Sequence, residues 1–111
     1  MHAVLPPALS GVKKMNEKAK QIAALMSLLA NEHRLLILCA LLQGSMTVGE
    51  ISEYVPDISA PALSQHLHRL QAAGLISSEK QAQFIRYSIA DRRVESIIDL
   101  LKREYCDSMD F

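Results

Sequence analysis

The feature that most constrains this sequence is a change of hydrophobic period at Gly74. Before the glycine, apolar residues recur at spacings of four and three, the period of an amphipathic helix: Leu63, Leu67 and Leu70. After it, residues 75–80 and 84–89 are rich in β-forming residues, and residues 81–83 connect them as a loop. Gly74 supplies the left-handed conformation that commonly ends a helix. The pattern therefore predicts a helix followed directly by a β-hairpin.

Helix-start signals upstream of this helix predict a second, shorter one. Thr47 is followed three residues later by Glu50, which forms a capping box and opens a helix over about 48–54. Pro56 breaks that helix, because the residue before a proline disfavours the helical conformation. Ser59 then caps the amphipathic helix. Two helices joined by a short turn form a helix-turn-helix, and a hairpin placed directly after it is a wing.

Helical patterns also flank this unit on both sides. Apolar spacing predicts one helix over 15–30, a second from Asn31 to Leu42, and a last one over 91–106 that begins at Asp91. The predicted fold is mainly α with one β-hairpin, a winged helix-turn-helix in the order α-α-α-α-β-β-α. We expect three segments: a flexible N-terminal arm over 1–12, the folded domain over 13–106, and a C-terminal tail over 107–111.

Length and composition are those of one small folded domain. The chain has 111 residues, and half of them are apolar. The longest apolar run, residues 35–42, is far shorter than the ~20 residues that span a bilayer. The N-terminus lacks the succession typical of a signal peptide, so we expect a cytoplasmic protein. Aromatic residues make up only 5%, which disfavours a stacking surface for single-stranded nucleic acid.

The formal net charge of zero conceals an uneven distribution. Four successive segments, 1–34, 35–58, 59–90 and 91–111, carry net charges of +3, −3, +2 and −2. The helix and hairpin over 59–90 are therefore locally basic, although only mildly. Binding of this segment to nucleic acid should weaken with salt, but less steeply than for a highly basic protein.

Four linked segments resemble the ArsR/SmtB family of bacterial repressors, and the likeness covers roughly residues 15–106: 30–35, 63–67, 73–76 and 85–89. The resemblance implies a homodimer formed through the first and last helices. It also implies sequence-specific binding to double-stranded DNA, as a repressor or an anti-repressor. A two-fold dimer presents two recognition helices to successive major grooves, which predicts an inverted-repeat operator with half-sites about 10–11 bp apart, or a multiple of that.

The polar residues of the second helix of the helix-turn-helix and of the wing are the candidate DNA contacts. Ser and Gln suit base edges, and Ser, His and Arg also suit phosphates. A solvated helix face and a polar hairpin tip are the alternatives that need no ligand. The candidates are Ser59, Ala62, Ser64, Gln65, His66, Arg69, Lys80, Gln81, Gln83 and Arg86.

The metal sites of metal-responsive family members do not match this sequence. The first helix of the helix-turn-helix contains no cysteine, which removes a thiolate site there. The site on the last helix would begin at Asp91, but Arg93 and Glu104 stand where histidines are required. We therefore expect no metal site and no cofactor.

Two cysteines, Cys39 and Cys106, are the remaining candidates for sensing a signal. The alternative is that both are simply buried or terminal thiols. A pair at these positions resembles the sulfide- and persulfide-sensing branch of the family, of the BigR and SqrR type. HlyU-type regulators are also similar and share Ile37-Leu38-Cys39 and Tyr105-Cys106. The resemblance implies that a disulfide or polysulfide bridge between the cysteines releases the DNA. A regulator without cysteine-based sensing, or a metal sensor with a non-standard site, remains the alternative.

The sequence lacks the motifs that are typical of other classes of protein. No Gly-rich phosphate loop, G-x-S-x-G motif or carboxylate pair tied to a cleft is present, so we expect no enzyme. Ser64, His66 and His68 do not form a catalytic triad, because all three lie on one short helix. A winged helix that contacts protein instead of DNA stays an alternative, since the candidate face is only mildly basic.

Overall fold

The computed structural model describes the backbone of residues 5–106 and the side chains of residues 11–106. The chain divides into two units, residues 1–30 and residues 31–111. The first unit contains helix α1 (Leu5–Leu29), and the second contains all the other elements. The expected C-terminal tail, residues 107–111, lies outside the described residues.

Helix α1 begins ten residues before the helix that the apolar spacing predicts. Residues 5–12, expected to belong to a flexible arm, are helical, whereas residues 1–4 lie outside the described part. Pro6 and Pro7 lie within the described part of α1, so they do not mark a loop there.

The second unit has the predicted winged helix-turn-helix fold. Its elements are α2 (Glu32–Leu41), β1 (Met46–Thr47), α3 (Val48–Ser52), α4 (Ala60–Ala72), β2 (Ile76–Gln81), β3 (Phe84–Ile89) and α5 (Arg92–Cys106). The hairpin β2–β3 is joined by β1 to form an antiparallel sheet in the order β1-β3-β2. Strand β1 was not predicted, because two residues are too few to show an alternating pattern.

The predicted caps start the helices as expected. Asn31 Oδ1 accepts a hydrogen bond from the Arg34 amide at 3.0 Å. The capping box of α3 has both of its bonds, from the Glu50 amide to Thr47 Oγ1 at 3.2 Å and from the Thr47 amide to Glu50 Oε1 at 2.9 Å. Ser59 Oγ accepts from the amide of Ala62 at 3.2 Å. Each cap contributes about 1 kcal/mol by satisfying an amide that the helix leaves unpaired.

The core of the second unit forms around α2, which packs against α3, α4 and α5. Its fully buried side chains include Ile37, Leu38, Ile51, Leu63, Leu67, Leu70, Val94 and Ile98. The leucine stripe of α4 is thus buried as its spacing predicts. Among the described residues no single helix is long and apolar enough to cross a membrane, and only α1 and α2 taken as a pair meet that length and composition.

The hairpin turn is tighter than the predicted loop. Gln81 pairs with Phe84, so only Ala82 and Gln83 lie between the strands. Ala82 has φ +56°, a left-handed conformation that a side chain disfavours. The tip of the wing is therefore short, and it holds its polar side chains close to the strand ends.

Candidate DNA-binding surface and thiol pair

The outer face of α4 carries most of the residues predicted to contact DNA. Burial of the leucine stripe turns Ser64, Gln65 and Arg69 toward solvent, while Ala62 stays half-buried. Ser59 is exposed, but its hydroxyl oxygen already accepts the amide of Ala62. These side chains lie within three turns of one helix, as a surface for a DNA groove requires.

His66 lies against the first turn of α2 and is half-buried. Its Nδ1 is 3.4 Å from Nη1 of Arg34, and its ring centroid is 5.8 Å from that of His33. Burial lowers the pKa of His66 most, and Arg34, His33 and Arg69 lower it further because they carry or acquire positive charge. His66 is therefore neutral at pH 7 and connects α4 to α2.

Arg34 is the buried charged residue among the described side chains of the second unit. Burial is the main cause that lowers the pKa of its guanidinium, and Arg69 adds to the effect. Arginine nonetheless stays protonated at neutral pH. The sequence signal for this contact is weak, since Arg34 lies 32 positions from His66 and resembles any charged residue in a first turn.

In the wing, the predicted contacts separate into two groups. Lys80, Gln81 and Gln83 are exposed at the end of the hairpin. Arg86 is occupied within the fold: its Nη2 donates to the Ser45 carbonyl at 2.8 Å and its Nε donates to Ser45 Oγ at 3.2 Å. The same Nη2 lies 3.5 Å from Glu50 Oε1. Arg86 therefore anchors β3 to the start of the helix-turn-helix, a role that its position in the hairpin sequence did not indicate.

A side-chain hydrogen bond that sequence reasoning missed ties α4 to the wing. Gln71 Nε2 donates to Ser78 Oγ at 2.9 Å, from the last turn of α4 to strand β2. Gly74, at φ +82°, makes the sharp turn that brings these two elements together. The helix and hairpin are thus held in a defined relation to each other.

Cys39 lies on α2 and Cys106 is the last residue of α5, and these two helices pack against each other. Both thiols are free and half-buried. Burial raises the pKa of the Cys39 thiol most, Lys102 lowers it, and the charge of a Cys106 thiolate raises it again. The packing of α2 against α5 and this electrostatic influence make Cys39 and Cys106 a candidate redox pair.

Two clefts in the second unit had no sequence signal. One, of about 340 Å³, lies between the end of α2 and the middle of α5 and is lined by Leu42, Gln43, Glu95, Ser96, Asp99 and Lys102. The other, of about 310 Å³, lies beside the wing tip and is lined by Thr47, Val48, Gly49, Gln83, Phe84 and Ile85. In the part of the chain that the structure describes, no three His, Cys, Asp or Glu side chains converge as metal ligands.

Several known proteins are similar to this chain in sequence and in fold. Residues 31–78 match the family model described as bacterial regulatory protein, arsR family. The transcriptional activator HlyU of Vibrio cholerae is 38% identical over 97 residues, covering 87% of this chain and 89% of HlyU. The transcriptional regulator YgaV of Escherichia coli is 43% identical over 95 residues, covering 84% of this chain and 94% of YgaV.

Solved structures agree with these sequence matches. HlyU from Vibrio cholerae, in a form described as reduced, superposes with a TM-score of 0.79 at 39% identity, covering 85% of this chain and 98% of its own. A homodimeric winged helix-turn-helix DNA-binding domain from Mycobacterium bovis, a possible ArsR-family regulator, superposes with a TM-score of 0.70 at 25% identity. The match covers 86% of this chain and 87% of that domain. The matched proteins named here are transcriptional regulators.

Proposed function

The chain belongs to the ArsR family of bacterial regulatory proteins and is a DNA-binding transcriptional regulator, and on that premise we propose that oxidation of Cys39 and Cys106 switches its binding to operator DNA. The observation that carries the proposal is the packing of α2, which contains Cys39, against α5, which ends at Cys106. The influence of a Cys106 thiolate on the pKa of Cys39 supports it. A disulfide requires sulfurs that approach with little movement of the backbone, and the packing of these two helices is consistent with that requirement.

The proposed oxidant is a small persulfide, and the chemistry needs both cysteines. A Cys106 thiolate attacks the outer sulfur of R–S–SH, forms Cys106–S–SH and releases the thiol RSH. Cys39 then attacks the inner sulfur and expels hydrosulfide, so that two thiols and one persulfide yield one disulfide, RSH and H2S. Burial raises the pKa of Cys39 and lowers its thiolate fraction, which makes it the resolving partner in this order. With a second persulfide Cys39 also becomes Cys39–S–SH, and its reaction with Cys106–S–SH gives a trisulfide bridge instead, so that two thiols and two persulfides yield one trisulfide, two RSH and one H2S.

Binding to DNA is proposed to use two copies of α4 in a homodimer. Both α1 and α5 have apolar side chains exposed in the single chain, among them Met15, Ile22, Leu101 and Tyr105. These side chains support a dimer formed through the first and last helices. Two copies of α4 would then read an inverted-repeat operator, with Ser64 and Gln65 at base edges and Arg69 and Lys80 at phosphates. A regulator of bacterial operators works in the cytoplasm.

Coupling between the thiols and the DNA follows from the position of α5. A covalent bridge from Cys106 to Cys39 would tie the end of α5 to α2, which also packs against α4. A shift of α5 within the dimer changes the spacing of the two α4 helices. Because several contacts depend on that spacing at once, a modest change costs a large part of the operator affinity.

Operator binding before and after oxidation tests the proposal. We expect an organic persulfide to lower the affinity of the reduced wild type for its own promoter DNA at least tenfold, and a reductant to restore it. Mass spectrometry should find Cys39 and Cys106 linked in the released protein. Cys106→Ser and Cys39→Ser should bind as well as the reduced wild type and no longer respond to persulfide. Peroxide in a parallel reaction distinguishes a persulfide sensor from a general thiol oxidant sensor.

The thiol switch would be contradicted if persulfide left the operator affinity of the wild type unchanged, or if it released the Cys106→Ser variant from DNA as much as the wild type. Either result would favour a signal that is read without cysteine. An absence of salt-sensitive DNA binding under all conditions would contradict the DNA-binding surface itself and favour a protein-contacting winged helix.

A further inference from the structure

We propose that Arg34 is a positioning residue for DNA recognition: it holds His66 in the tautomer that carries its proton on Nε2, and α4 offers this N–H to a DNA phosphate. The inference deepens the proposed DNA-binding surface and is independent of the thiol switch. It rests on the contact between the first turn of α2 and the middle of α4.

The chemistry of the contact selects one tautomer. A guanidinium can only donate hydrogen bonds, so the 3.4 Å approach of Arg34 Nη1 to His66 Nδ1 requires a free lone pair on Nδ1. The proton of the neutral ring is then on Nε2. No described residue accepts a hydrogen bond from Nε2 of His66, so this donor is available to a ligand of α4.

The surroundings of His66 favour a phosphate as that ligand. The charged and titratable groups that act on His66 are Arg34 and His33 from α2 and Arg69 from α4 itself, and every one of them carries or can acquire positive charge. An anion is therefore attracted to this edge of α4. Phosphate oxygens are hydrogen-bond acceptors with negative charge, and histidine and arginine are among the side chains that suit them.

Substitutions of His66 separate a directed N–H donor from a merely polar side chain. The amide nitrogen of glutamine reaches about as far as Nε2, whereas that of asparagine reaches about as far as Nδ1. We expect His66→Gln to retain operator affinity within about threefold and His66→Asn to lose roughly tenfold, the size of one hydrogen bond to a charged group. Equal losses, or a greater loss for His66→Gln, would overturn the proposal.

Arg34 is tested by a double-mutant cycle, because the residue also has structural contacts. We expect Arg34→Met to weaken operator binding roughly tenfold in the wild type and less than twofold in a His66→Ala background. Arg34→Gln keeps a donor for Nδ1 without the charge and should restore most of the affinity. A loss from Arg34→Met that is the same in both backgrounds would show a purely structural role and defeat the proposal.

The tautomer is measured directly on the reduced wild-type protein without DNA. Nitrogen-15 NMR of the imidazole at pH 7.5 should find the His66 proton on Nε2, and Arg34→Gln should keep it there. A proton on Nδ1 overturns the inference even if Arg34→Met fails to fold. Since this measurement needs no operator, its failure is distinguishable from a failure of the proposed function.

Discussion

Helices α4 and α5 are both amphipathic, but a single chain buries their apolar sides to different extents. α4 buries its whole leucine stripe, and Leu67 is only 2% exposed. α5 buries Val94 and Ile98 in its first half, whereas Leu101 and Tyr105 in its second half are 38% and 80% exposed. The position of α4 is thus decided by the core of its own chain, whereas the second half of α5 leaves apolar surface exposed, which the proposed dimer would cover.

This difference bears on the proposed thiol switch at the end of α5. Cys106 is the last residue of α5 and lies in the half that the core holds less firmly. The proposed bond to Cys39, on the well-buried α2, would act on the half of α5 that has fewer buried side chains. In that proposal α4 does not need to unfold or change its packing.

The largest expected effect on stability is found by comparing a leucine of α4 with a leucine of α5. Leu67→Ala should lower the free energy of unfolding by about 2–5 kcal/mol, because it leaves a cavity in a closed core. Leu101→Ala should lower it by under about 1 kcal/mol at low protein concentration and should weaken dimerisation. Urea denaturation and analytical ultracentrifugation measure the two quantities. Equal losses of stability with an unchanged dimer would break the contrast between α4 and α5.

A second comparison concerns two cations of the wing that look equivalent in the sequence. Lys80→Gln should leave stability unchanged and make the dependence of operator affinity on salt shallower, by about 0.9 in slope for each phosphate that the lysine neutralises. Arg86→Gln should lower the free energy of unfolding by about 1 kcal/mol, because the Ser45 carbonyl loses its donor. Salt titrations of binding and urea denaturation distinguish the two substitutions. The reverse pattern would show that Arg86, not Lys80, contacts the phosphates.

The smallest expected effect is a dependence of stability on pH through His66. Burial and nearby positive charge lower the pKa of His66 in the folded protein, so the unfolded chain binds the proton more readily. Stability is therefore full above the ordinary pKa of ~6.5 and falls as the pH drops below it, levelling off below the folded pKa. His66→Gln should make unfolding less dependent on pH over this range. An identical pH profile in wild type and His66→Gln would assign the effect to other groups.

The sequence predicted the helix starts and the wing well because their causes are local. Asn31, Ser59 and the pair Thr47–Glu50 act within one turn of helix, and each makes the bond that its type and spacing require. Gly74 ends α4 through its own backbone conformation. The helix predicted over 15–30 was too short, because Pro6 and Pro7 resemble a loop signal in the sequence although both lie in α1.

The candidate site was predicted only as far as exposure follows from helical period. Ser64, Gln65 and Arg69 face outward because the leucines of α4 face inward. The period could not reveal that Arg86 is held by Ser45, 41 positions away. It also could not reveal that His66 contacts Arg34 of α2, since nothing local distinguishes His66 from the other polar residues of α4.

The sequence by itself determined the order of elements, the buried stripe of α4 and the likeness to a DNA-binding family. These properties depend on spacings of one to four residues, which the backbone geometry of helices and strands converts directly into faces and caps. The tertiary structure decided which distant side chains meet: Arg34 with His66, and Arg86 with Ser45. Such pairs depend on how whole helices pack against one another, and packing is a property of the assembled core that no short stretch of sequence contains.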